Sequence, residues 1–151
     1  MNSVITRYEC ISLSQNLQSY ISASIDLAAV PEHAERIALN FRNSHYRSNR
    51  TGAHPVEIHL FRKTTVDSWK IATMTSFAFP NETSNELDVE LNFNFSHQWF
   101  YQPDIKRCDL NQPEVIDLFQ SWQRSLVNVL RNGAFDFFAV TVIKPLPQTT
   151  H

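Results

Sequence analysis

Between Glu35 and Glu57 the chain carries four arginines (Arg36, Arg42, Arg47, Arg50), two histidines (His45, His54) and no acid. A guanidinium offers five N–H donors in a planar fork that matches carboxylate and phosphate oxygens. Arg42, Arg47 and Arg50, with Tyr46 beside them, therefore suit a phosphate, a nucleic-acid backbone or the acidic surface of a protein partner. From Arg42 to Pro55 the segment is rich in turn residues and has no apolar period. It reads as a long loop between two strands, a kind of segment that in compact domains is usually functional or disordered. A plain solvated loop has the same composition, and its arginines would pair with the protein's own Glu86, Asp88 and Glu90.

The following residues, His54-Pro55-Val56-Glu57-Ile58-His59, invite a metal or acid–base reading. On a strand, Glu57 and His59 share one face and His54 points to the other. Two ligands on a face fall short of the three or four that zinc takes, so an ion pair between Glu57 and His59 is the preferred reading and no metal or cofactor is expected. A histidine beside a carboxylate also fits a general base. No nucleophile stands with it: there is no Gly-x-Ser-x-Gly elbow, and Cys10 and Cys108 form no CxxC pair. Gly52 and Gly133 are the only glycines, where average usage of ~7% would give roughly ten. A phosphate-cradling loop, which needs several close together, is thereby excluded. Three adjacent aromatics, Trp99-Phe100-Tyr101, fit base stacking or the capping of one end of the core, and the second is preferred.

These residues must be positioned by elements that the patterning reveals. Ser12-Leu13-Ser14-Gln15 has capping-box spacing, and the apolar period behind it predicts a helix from about Leu13 to Ala28. Ile37, Leu39 and Phe41 alternate with polar residues, as do Val56, Ile58 and Leu60. In the next run Trp69 to Phe79 (odd numbers) fall on one face and Lys70 to Ala78 (even numbers) on the other. Leu87, Val89, Leu91, Phe93 and Phe95 alternate with Glu86, Asp88, Glu90, Asn92 and Asn94, which predicts a strand with the first set buried and the second exposed. Asn111-Gln112-Pro113-Glu114 predicts the start of a second helix, capped by Asn111, with Val115 to Leu130 on its apolar side, Trp122 buried at its middle and Gly133 as its stop. Ala134 to Ile143 is apolar on both faces, which predicts an interior strand or one under a helix. The order α-β-β-β-β-α-β defines an α+β fold, a mostly antiparallel sheet of about five strands with two helices packed on it.

A chain of 151 residues fits one domain, assigned here to residues 1–144 with a tail at 145–151. With 42% hydrophobic and 19% charged residues it can build a core. A net charge of −2 argues against a surface that binds nucleic acid throughout. The first residues lack the pattern of a signal peptide and no apolar run approaches a membrane span, so a cytoplasmic location, free thiols and no membrane partner are expected.

Several of these segments resemble family 2787 of the domains of unknown function, short bacterial proteins common in marine gammaproteobacteria. The resemblance rests on Leu39-Asn40-Phe41-Arg42, Gly52-Ala53-His54-Pro55-Val56-Glu57-Ile58, Trp69, Phe77-Ala78-Phe79, Glu86-Leu87-Asp88, Leu118-Phe119-Gln120-Ser121-Trp122 and Gly133-Ala134-Phe135-Asp136. It runs from about Arg36 to Val140. Where the family usually has a second glycine and a large residue before His-Pro, this chain has Thr51 and Ala53, which implies a stiffer loop. The resemblance implies a fold unit without an activity, and genes on mobile elements with accessory roles. The expected function is thus a binding or interaction module that contacts an acidic protein partner or anionic ligand. Its candidate residues are Arg42, His45, Tyr46, Arg47, Arg50, His54, Glu57 and His59. The alternatives are an enzyme for a phosphorylated or nucleotide-like substrate, with His54, His59 and Glu57 as acid–base groups, and a nucleic-acid-binding accessory protein.

Overall fold

The computed structural model describes residues 2–147; of the predicted tail, Gln148 to His151 lie outside them. A small hairpin, β1 (Arg7–Tyr8) and β2 (Ile11–Ser12), leads into helix α1 (Gln15–Leu27). Strand β3 (Ala34–Arg42), a short helix α2 (Ser44–Asn49) and β4 (Val56–Phe61) follow. Next come β5 (Lys70–Ala78), β6 (Asp88–Asn94), β7 (Trp99–Gln102) and β8 (Lys106–Asp109), then helix α3 (Pro113–Arg131) and β9 (Phe137–Pro145). Seven strands form one antiparallel sheet in the order β8-β7-β6-β5-β4-β3-β9. The α+β class and the antiparallel sheet match the sequence reading, but among the described residues the sheet has seven strands rather than about five and there are three helices rather than two. The β7–β8 hairpin escapes notice because four-residue strands are too short to show a period; Phe100 of that hairpin is buried in the core while Trp99 and Tyr101 are only partly covered.

Helices α1 and α3 cover one face of the sheet. Leu17, Ile21 and Ile25 of α1 and Val115, Phe119, Leu126 and Val127 of α3 join Ile37, Leu39, Ile58, Leu60, Ile71, Met74 and Phe93 in one core. Phe119 meets Phe93 and Phe95 edge-on at ring-centroid distances of 5.1 and 5.5 Å. Trp122 touches Phe93 at 5.3 Å but is only partly buried, at the border of a face whose buried residues are Val115, Phe119, Gln123, Leu126 and Val127, not at its centre as the sequence reading placed it. The helix starts also differ. Ser14, not Ser12, caps α1, accepting from the Leu17 N–H at 3.1 Å, because Ser12 is spent in β2. Gln112 precedes α3 without a side-chain cap bond, and Asn111 bonds Gln98 at 2.7 Å instead.

Among the described residues, no long helix covers the other face of the sheet; only the short α2 borders it. Two bulges decide which residues reach it. One between the His59 and Leu60 pairings lets Ile71 and Ala72 both face the core, so that Thr73, Thr75 and Phe77 point to the open side. The second lies between the Ser76 and Phe77 pairings and breaks the predicted alternation of β6. Glu90 then lies on the helix side and Val89 faces the open side opposite Phe77, which is why Leu87 and Val89 are only half-buried; Leu91, on the Phe93 side of the bulge, still packs against the core. A bulge places two residues of one strand against one of its neighbour and reverses the alternation beyond it. Strand β9 lies at the sheet edge rather than in the interior. No helix among the described residues is long and apolar enough to cross a membrane.

Candidate functional site

The arginine segment is not one loop. Arg36 and Arg42 lie within β3, and α2 fills Ser44–Asn49, a helix too short to show an apolar period. Asn43 caps it, its side-chain oxygen accepting from the His45 N–H at 2.9 Å. The chain leaves α2 through Arg50 in the left-handed region, φ 63°. Gly52 follows at φ 97°, and a Cβ there would stand 3.0 Å from the Asn43 side chain. Both the dihedral and the space demand glycine. Asn43 donates to the Ala134 carbonyl, and the Ser44 amide and hydroxyl both donate to Asp136, which fastens α2 to the connection between α3 and β9. Those two bonds from Ser44 hold the Asp136 carboxyl below its ordinary range.

The arginines divide by what they touch. Arg50 donates to the Asn81 carbonyl at 2.7 Å and to the Ser84 carbonyl, and its guanidinium lies 4.0 Å from the Phe79 ring centroid. It is committed to fastening the β5–β6 turn. Arg36 approaches His59 Nδ1 at 3.4 Å. Arg42 and Arg47 have no ion pair or side-chain hydrogen bond among the described residues, and Arg42 lies 5.7 Å from the Phe137 ring. Both border a cavity of about 450 Å3 on the open side of the sheet. Its polar wall is Asn40, Asn43, Ser44 and Glu57, and Val56, Phe77, Leu87 and Phe137 supply its apolar floor.

Glu57 hydrogen-bonds His59 two residues along β4, and this bond, aided by the charge of Arg42, keeps its carboxyl below the ordinary range. The floor continues across the strands as a polar row in which Asn40, Glu57, Thr75, Asn92 and Tyr101 are register neighbours. In that row the Asn92 amide donates to Thr75 Oγ1 at 3.0 Å while its buried oxygen has no partner.

The remaining candidates lie elsewhere. Tyr46 is buried, stacked on His54 at 4.5 Å between ring centroids, and its hydroxyl accepts from the Phe79 N–H at 3.2 Å. His54 pairs with Glu90 at 3.0 Å, and Glu90 also takes the Ser76 hydroxyl. The hydrogen bond to Glu90 raises the His54 pKa against its partial burial. Burial pushes the Glu90 carboxyl up, but His54 and Ser76 together bring it below its ordinary value. This cluster edges a second, smaller hollow of about 170 Å3 beside Trp122 of α3 and Phe135 of the connection to β9. His45 is exposed in the first turn of α2.

Of the eight candidates, then, the structure brings Arg42, Arg47 and Glu57 together, with His59 behind Glu57. It separates His45, Tyr46, Arg50 and His54 from them. Asn40, Asn43, Ser44, Phe77, Leu87 and Phe137 belong to the cavity as well and carry no sequence signal of their own; only the sheet register assembles them. No three His, Cys, Asp or Glu side chains among the described residues are grouped to hold a metal ion, and Cys10 and Cys108 are free thiols.

A seven-stranded antiparallel sheet with helices on one face and a groove on the other defines an α+β scaffold with an open sheet surface. The chain belongs to the family described as protein of unknown function (DUF2787), whose model matches residues 12–142. Two solved structures share the fold. The hypothetical protein VC0508 from the VSP-II pathogenicity island of Vibrio cholerae is 20% identical, with a TM-score of 0.79 over 91% of this chain and 98% of its own. The conserved hypothetical protein VC1805 from pathogenicity island VPI-2 of the same species is 25% identical, with a TM-score of 0.71 over 85% of this chain and 94% of its own. VC1805 is described as sharing structural homology with the human P32 protein. No curated protein matches the sequence.

Proposed function

We propose that the protein is a binding module whose open-face groove takes an anionic group attached to an apolar one, as an acidic segment of a protein partner provides. The observation that carries this reading is the division among the arginines. Arg50 and Arg36 have intramolecular partners, while Arg42 and Arg47, which lack them, both border the same cavity of about 450 Å3. Its size falls in the range of ligand sites, roughly 300–1,000 Å3, and its apolar floor with a few polar groups is their usual composition. The floor of Phe77, Leu87 and Phe137 accounts for the apolar half of the ligand.

A catalytic reading requires His54, His59 and Glu57 in one place, but His54 pairs with Glu90 beside Trp122 on the helix side of the sheet, away from the other two. Nucleic acid is a weaker ligand for this groove because the chain carries a net charge of −2 and the groove offers two arginines, unpaired among the described residues, rather than a broad basic face. An accessory role encoded on a mobile element matches the pathogenicity-island origin of both solved relatives.

The test is capture of a partner at low and high salt by the wild type, by Arg42→Ala/Arg47→Ala and by Arg50→Ala. The reading requires salt-sensitive capture that the double variant loses without a change in melting temperature, because exposed charges are screened over ~8 Å at physiological ionic strength. Capture retained by the double variant defeats it.

A further inference from the structure

The two edges of the large sheet are built differently. Strand β8 at one edge is four residues long and three of them are charged (Lys106, Arg107, Asp109). Short, charged edge strands discourage pairing with another chain. Strand β9 at the other edge is nine residues long, and from Phe137 to Ile143 it carries no charge at all. Phe137, Val142 and Ile143 are 49%, 38% and 44% exposed. On one side β9 pairs with β3; on the other, nothing among the described residues meets it. The features that blunt an edge gather at its last residues: the register shift around Ile143, then Lys144 and Pro145. Phe137 to Val142 has none of them.

We infer that this edge is an interface for a second copy of the chain, β9 pairing antiparallel with β9 across a two-fold axis so that two seven-stranded sheets continue as one. Alternate residues of an edge strand point their N–H and C=O groups outward, and an antiparallel copy satisfies both. Self-pairing fits the charges. The run from Phe137 to Ile143 opposes itself without a charge, and the antiparallel direction sets the Asp136 end of one copy against the Lys144 end of the other. A parallel arrangement would set lysine beside lysine. Asp136 is anchored by Ser44 and Lys144 by Glu35 at 2.9 Å, yet Lys144 remains 65% exposed and open to a second acid. A two-fold axis perpendicular to the sheet keeps both helix layers on one side, where they do not collide with the partner's open face. Pairing of β9 with the β8 edge of another copy would instead be head-to-tail and would not close on itself. This assembly uses the backbone edge and apolar side chains; it shares Phe137 with the groove floor but calls on neither Arg42 nor Arg47.

Sedimentation velocity over a wide concentration range tests it, with Thr141→Glu/Val142→Glu and, separately, Thr141→Lys. These side chains are exposed in the single chain, so the substitutions spare its core. The acidic pair falls near the partner's Asp136, and lysine at 141 falls near its own copy across the axis. The wild type should form a dimer, twice the 17.5 kDa chain mass, whose proportion rises with concentration. Both variants should weaken it by about ten-fold or more, as like charges brought together suppress a pairing, while Arg42→Ala/Arg47→Ala leaves it unchanged. A wild type that stays monomeric throughout overturns the inference. So does a dimer that both variants retain, or a ladder of larger species without a dimer.

Discussion

Replacing Arg50 by alanine asks whether the arginine segment is partly scaffold. Arg50 makes two hydrogen bonds to the carbonyls of Asn81 and Ser84 and lies 4.0 Å from the Phe79 ring. A hydrogen bond of this kind is worth about 0.5–1.5 kcal/mol net, and an exposed cation–π contact about 0.5–1 kcal/mol. Because Arg50 is exposed, the low end applies, and the sum is about 1.5 kcal/mol. In a domain of this length that corresponds to a fall in melting temperature of roughly 3–6 °C. The left-handed backbone at Arg50 sharpens the test. Alanine keeps that strain, worth about 1–2 kcal/mol, whereas glycine relieves it at a cost of about 0.5–1 kcal/mol in unfolded-chain entropy. Arg50→Gly should therefore be less destabilising than Arg50→Ala by about 1 kcal/mol. Urea unfolding followed by tryptophan fluorescence measures both. An Arg50→Ala protein as stable as wild type, with capture lost, would show that Arg50 is a contact residue and that the division among the arginines is wrong.

Three further outcomes follow from the packing. Phe119→Ala should cost about 3–5 kcal/mol and the half-exposed Trp122→Ala only about 2 kcal/mol, as urea midpoints will show; the reverse order would mean that α3 is rotated. Ser14→Ala should cost about 1 kcal/mol and Ser12→Ala little, since only Ser14 caps α1, and equal effects would contradict the cap. The His54–Glu90 pair should stabilise only in mildly acidic solution. The raised His54 pKa contributes below its ordinary 6.5 and is lost as pH rises through the folded value. The lowered Glu90 pKa contributes above its ordinary 4.5 and is lost on acidification. His54→Gln should then cost several tenths of a kcal/mol more at pH 5.5 than at pH 8.5, the scale of an exposed pair; an equal difference at both pH values would show that the pair contributes nothing.

Alternating residues located β3, β4, β5 and β6 because those strands are long and one face of each is buried. What alternation could not reveal was where a bulge reverses it. Ile71 and Ala72 read as residues of opposite faces, and Glu90 as an outward one, until the pairings of His59 and Ser76 are known. The helix α2 was hidden because Tyr46 is its single buried residue, and β9 looked interior because an edge strand that is apolar on both faces is uncommon. Of the site, the arginines were visible by type, and the pairing of Glu57 with His59 by spacing. Which arginines have partners was not visible, because Arg50 meets backbone carbonyls of a turn 31 and 34 residues away.

The groove itself is tested most directly by a photo-cross-linking side chain at Leu87, on its apolar floor, compared with one at Val66, 90% exposed in the turn between β4 and β5. A ligand seated in the groove should cross-link at Leu87 and not at Val66, and Arg42→Ala/Arg47→Ala should abolish that cross-link. Cross-linking at Val66 alone, or at Leu87 with equal yield in the double variant, would contradict the assignment of the binding site.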